Sequence, residues 1–117
     1  MAAVLLTADL ACSSKVAGAA ARAGRRVETA MSLAALLEKG VGAELVILDL
    51  TAPGADPREL LPRLRALAPP PIRVIAFGPH VNEAALAAAR EAACDLVITR
   101  GQFHSRVDEL LAKYVSG

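Results

Sequence analysis

Apolar positions in this chain come in short blocks, separated by stretches whose apolar residues recur at helical spacing. The first block is AAVLLTA, Ala2 to Ala8, and SSKVAGAAARAG follows it. Ser13 or Ser14 can cap a helix there, and Gly24 can end it. RRVETA reads as a weaker strand, and SLAALLEKG as a helix with Ser32 as N-cap and Gly40 as stop. ELVILDL is apolar at successive positions, as a central parallel strand buried on both faces requires. Asp56 and Pro57 then open a helix that runs through Ala68, with Asp56 as N-cap and Pro57 at the first helical position. Pro62 lies inside that pattern, so the helix is expected to kink or to start later.

The tripeptide Pro69-Pro70-Pro71 is a stop, and IRVIAFG resumes as the fourth strand. NEAALAAAREAAC is an alanine-rich helix with Asn82 as N-cap, DLVITR is the fifth strand, and the fifth helix spans about Phe103 to Val115. Regular βα alternation with short connections implies parallel strands, right-handed crossovers and helices on both faces. The expected fold is α/β, a single domain over residues 1–117. It is a doubly wound five-stranded parallel sheet in a three-layer sandwich, in the flavodoxin-like order.

Composition narrows the picture. Apolar residues make up 55% of the 117 and aromatics only 3%, so the core must be built from Ala, Val, Leu and Ile. Thirteen basic residues against twelve acidic ones leave net charge near zero, which argues against nucleic acid as a partner. Cys12 and Cys94 have no C-x-x-C spacing and read as small packing residues. The start of the chain has no basic region, and its apolar run is too short to span a membrane, so a cytoplasmic location without membrane contact is expected.

Ligands of such sheets collect at the carboxyl ends of the strands. The ionisable residues there are Asp9, Asp49, His80 and Arg100. Neither a glycine-rich phosphate loop nor a G-x-S-x-G elbow is present, and His80 and His104 have no partner at metal-ligand spacing. No catalytic residue is assigned, and the chain is not expected to be an enzyme. Asp49 ends its strand as a phosphate acceptor, a metal ligand or a turn-initiating aspartate before Pro53 and Gly54. Asp9 reads as a turn or helix-start residue in preference to a ligand. Arg100 either pairs with Asp49 or faces solvent, and His80 reads as a surface-loop histidine above the site. Phe103, next to Gly101 and Gln102, serves either the core or an exposed recognition patch. The cluster of Arg22, Arg25 and Arg26 reads as a solvated face.

Across LVILDLTAPGADPRELL the chain resembles the receiver domain of two-component response regulators, and DLVITRGQF is similar to that family's Lys-Pro-Phe segment. The resemblance covers the whole chain in element order and puts the phosphoacceptor position on Asp49. It is a divergent match. The family's acidic pair falls on Thr7 and Ala8, with Asp9 adjacent. Its switch hydroxyl falls on Gly78 beside Phe77, its Lys on Arg100, its Pro on Gly101 and its aromatic switch on Val97. Thr7, Ala8, Asp9, Gly78, His80 and Arg100 are therefore expected to line the site. Asp9 and Asp49 are the two residues that a Mg²⁺ ion would use, although no cofactor is expected.

These departures imply a pseudo-receiver, a phosphate-independent protein-interaction module in signal transduction with a signalling protein as partner and room for a homodimer. Two alternatives stand beside it. One is a receiver that takes phosphate on Asp49 from a histidine kinase. The other is a small-anion or ligand-binding protein that uses Ser13, Ser14, His80 and Arg100.

Overall fold

The computed structural model describes residues 2–67 and 72–116, so the expected stop at Pro69-Pro70-Pro71 lies outside the described residues. Five strands, β1 (Ala3–Leu6), β2 (Val27–Ala30), β3 (Leu45–Asp49), β4 (Arg73–Gly78) and β5 (Leu96–Thr99), form one parallel sheet. Its order is β2-β1-β3-β4-β5, the doubly wound order expected from the alternation. The helices are α1 (Leu10–Ala23), α2 (Leu33–Lys39), α3 (Pro57–Arg65), α4 (Glu83–Glu91) and α5 (Arg100–Tyr114).

Strand pleating sends successive side chains to opposite faces and so divides the core in two. Ala3, Leu5, Leu45, Ile47, Ile75 and Phe77 pack with α1 and α5. Val4, Leu6, Val46, Leu48, Val74 and Ala76 pack with α2, α3 and α4. This explains why the central strands read as unbroken apolar runs. With few aromatics to place, Phe77 and Phe103 stack at 4.3 Å between ring centroids, so Phe103 belongs to the core and not to a recognition patch.

Helix α4 ends at Glu91, short of the expected Cys94, and three further helix boundaries differ from expectation. The cap of α1 is Asp9, whose carboxylate accepts from the backbone N–H groups of Ala11 and Cys12. Ser13 lies inside the helix, where its hydroxyl donates back to the Leu10 carbonyl at 3.1 Å. Helix α5 begins at Arg100, because Thr99 and Gln102 form a capping box that closes the turn three residues before Phe103. Helix α3 starts at Pro57 with Asp56 as cap, runs through Pro62 and ends at Arg65. The carbonyl that would have bonded to the residue-62 N–H belongs to Arg58, an exposed residue.

At the amino edge of the sheet, Asp95 accepts from the Val74 N–H at 2.7 Å and from Arg65 at 3.2 Å, with Arg73 at 3.7 Å. Arg65 also donates to the carbonyls of Ile72 and Ala93, which ties the end of α3 to the start of β4 and to the α4–β5 turn. Ala93 makes that turn at φ 64°, in the left-handed region. The Arg22, Arg25 and Arg26 cluster is engaged within the chain: Arg22 pairs with Asp108, Arg26 with Glu28, and Arg25 donates to the Val115 carbonyl.

Candidate functional site

At the carboxyl edge of the sheet, register alone assembles a polar corner. Leu6 pairs with Leu48, so Thr7 emerges from β1 beside Asp49 at the end of β3. Asp49 pairs with Phe77 and Gly78 with Thr99, which brings Arg100 to the same edge. Parallel neighbours in register point to the same face, so the side chain of β4 that shares Asp49's face is the Phe77 ring. A Cβ at Gly78 would meet Leu50 at 3.4 Å.

Asp49 is 1% exposed, and burying a carboxylate is costly unless it is hydrogen-bonded and paired. Both of its oxygens are engaged. The Thr7 hydroxyl donates to Oδ2 at 2.7 Å. The Thr51 hydroxyl and backbone N–H donate to Oδ1 at 2.7 and 3.0 Å. Thr7 is itself oriented by the Asp9 N–H, which donates to its Oγ1 at 3.1 Å.

Arg100 completes the network from the first residue of α5. Its Nη2 donates to Asp49 Oδ1 at 3.5 Å and to Thr51 Oγ1 at 3.2 Å, and its Nη1 donates to Asp9 Oδ2 at 3.5 Å. The two carboxylate contacts are long for charge-assisted hydrogen bonds, so they act mainly as ion pairs. Arg100 thus pairs with Asp49, the first of its two readings from sequence, and reaches Asp9 as well. Asp9 joins the corner with one oxygen while the other caps α1.

The remaining candidates stand apart. Ala8 is exposed, and so is His80 on the β4–α4 loop, with no hydrogen bond to the corner among the described residues. Ser14 is exposed on α1. Cys12 lies at the corner's inner wall, where burial and then the charge of Asp49 push its thiol up. Burial pushes the Cys94 thiol up to about 11. His104, one turn beyond Arg100, is pushed down by burial and then by the positive charges of Lys15 and Arg100. A groove of about 500 Å³ between α3 and α4 is lined by Arg58, Leu61, Pro62, Arg65 and Glu91, none of which belongs to the corner.

Thr51 is the residue that sequence reasoning missed. Its signal was present: an aspartate side chain that accepts from the backbone N–H two residues on is an Asx-turn, and Asp49-Leu50-Thr51 has that form.

The sequence matches no protein-family model and no curated protein. The solved structures that this chain resembles include receiver domains. A response-regulator receiver domain from Bermanella marisrubri aligns with a TM-score of 0.77 at 16% identity, over 96% of this chain and 95% of that one. The phosphorylated cyanobacterial phytochrome response regulator RcpA gives 0.74 at 18% identity, over 96% and 91%. The receiver domain of a Pseudomonas aeruginosa sensor histidine kinase, with magnesium coordinated in its active-site cleft, gives 0.77 at 11% identity, over 96% and 94%. This chain has the fold of a response-regulator receiver domain.

A magnesium ion needs several oxygen ligands in near-octahedral geometry. Here both Asp49 oxygens accept hydrogen bonds, one Asp9 oxygen caps α1, and a guanidinium stands between the two carboxylates. No group of three His, Cys, Asp or Glu suited to a metal exists among the described residues. With the Arg100 guanidinium between the two carboxylates, the residues present do not fit such an ion.

Proposed function

We propose that this chain is a pseudo-receiver, a receiver fold that serves signalling as a protein-interaction module and does not use phosphate. The observation that carries the reading is the state of Asp49, 1% exposed with both oxygens held by Thr7 and Thr51. To attack a phosphoryl group, a carboxylate needs an accessible oxygen and a cation that neutralises the incoming charge. Phe77 occupies the position opposite Asp49 on β4, so that side of the corner has no hydroxyl to bind a phosphoryl oxygen. On this reading the chain catalyses no reaction, needs no cofactor and acts by contact with a signalling protein. The beryllofluoride-activated NtrC4 receiver domain, which has the same fold, is a dimer, so a second copy is one candidate partner here.

The test is to add Mg²⁺ with beryllofluoride, or with acetyl phosphate, and to record backbone amide shifts for wild type and Asp49→Ala. The expected result is no response in wild type with the fold intact. Shifts that spread from the strand ends and vanish in Asp49→Ala would instead establish a phosphorylatable receiver. Shifts with phosphate alone near Ser13, Ser14 or His80 would favour the anion-binding alternative.

A further inference from the structure

We infer that Arg100 is the resident cation of the Asp49 corner, a positioning residue that stands where a divalent ion would otherwise neutralise Asp9 and Asp49. The inference deepens the phosphate-independent reading and rests on it. One planar fork spans two loops and a helix: Nη1 faces Asp9, while Nη2 faces Asp49 and Thr51. Two carboxylates brought to one corner repel unless a positive group lies between them. The guanidinium supplies that charge with fixed geometry.

Its place in the helix makes the case stronger. The capping box of Thr99 and Gln102 fixes Arg100 at the first position of α5. A cation there faces the positive end of the helix dipole, which disfavours it. Its Nε is also buried without a hydrogen-bond partner among the described residues. Two unfavourable features at one residue need an offset, and the two carboxylates provide it. The Phe77 ring, 6.0 Å from the guanidinium carbon and stacked on Phe103, forms a rigid wall behind the side chain. A covalently tethered cation cannot be chelated away, so the β1–α1 loop, the β3–α3 loop and the start of α5 are held in one arrangement that ignores metal supply.

The test uses Mn²⁺ as a paramagnetic probe of amide signals, with thermal melts in Mg²⁺ or chelator. Wild type is expected to show no selective broadening at residues 7–9 and 49–51, and the same melting midpoint in both buffers. Arg100→Ala is expected to gain that broadening, and to melt lower in chelator with partial recovery in Mg²⁺. Adding Asp9→Ala to Arg100→Ala should abolish the gain. Arg100→Gln, which keeps the length without the charge, is read in the same way if the alanine variant does not fold. Equal broadening in wild type, or none in a folded Arg100 variant, overturns the inference. A beryllofluoride response in wild type without Mn²⁺ broadening fails the phosphate-independent reading alone. Mn²⁺ broadening in wild type without a beryllofluoride response fails this inference alone.

Discussion

The molecule builds carboxylate–guanidinium clusters at both edges of its sheet, and they differ in what the carboxylate is for. At the amino edge, Asp95 accepts from a strand N–H and from the arginine that ends α3, and its side chain is 22% exposed. It is a tie between elements. At the carboxyl edge, Asp49 is 1% exposed and accepts from two threonines before any arginine is counted. Among the described residues no strand N–H donates to it; its ligands are side chains and one turn amide. The same chemical groups therefore close a structural joint at one edge and build a buried polar corner at the other. Position in the sheet, and not residue type, separates them.

Substitutions can sharpen that contrast. Asp49→Ala should lower the unfolding free energy by about 2–3 kcal/mol, since it strands two hydroxyls, an amide and a guanidinium. Urea unfolding followed by circular dichroism measures it, and a change within experimental error would mean that the corner adds nothing to stability. Asp95→Ala should cost about 1–2 kcal/mol, because solvent can reach part of the vacated site. The asparagine variants separate the two clusters. Asp95→Asn should recover most of the loss, because the Val74 N–H needs one acceptor oxygen. Asp49→Asn should not, because a neutral amide leaves the Arg100 guanidinium without its buried counter-charge.

Beside the Asp95 cluster, Ala93→Gly should raise stability by about 1 kcal/mol by relieving the left-handed φ of 64°. An unchanged melting midpoint would show that the turn is held without strain. The smallest effect belongs to the pair of Arg22 and Asp108, whose side chains are 65% and 63% exposed. Arg22→Ala should change stability by no more than about 0.5 kcal/mol, and a larger loss would show that α1 and α5 depend on that ion pair.

The strands were legible because a parallel strand buried on both faces leaves an unbroken apolar run, and the strand order followed from βα alternation. The start of α1 was read two ways: the serines in LACSSK look like caps, but the reading of Asp9 as a helix-start residue is the one that holds, although it precedes an exposed leucine that carries no core signal. The start of α5 was misread because the Thr99–Gln102 box falls inside what looked like a strand end. Asp49, Asp9 and Arg100 were visible from their places at the carboxyl ends of the strands, and Asp49 and Arg100 again through the receiver resemblance. Thr51 needed the turn to be read as chemistry. The cluster at Asp95 had no sequence signal, because Arg65, Arg73 and Asp95 converge only when β4 and β5 pair beside the end of α3.

The division of the core into two has a temporal side. The residues of the layer beneath α2, α3 and α4 lie between Val4 and Val97, so that layer is complete in sequence before α5 begins. The opposite layer cannot close without Phe103, Val107, Leu110 and Leu111 of α5. Arg100 arrives on the same helix, so until then Asp49 has its threonines but no cation. Docking of α5 thus seals the remaining apolar face and neutralises the buried charge in one event. A chain cut just before Arg100 would present one covered face, one open face and a buried carboxylate without its guanidinium.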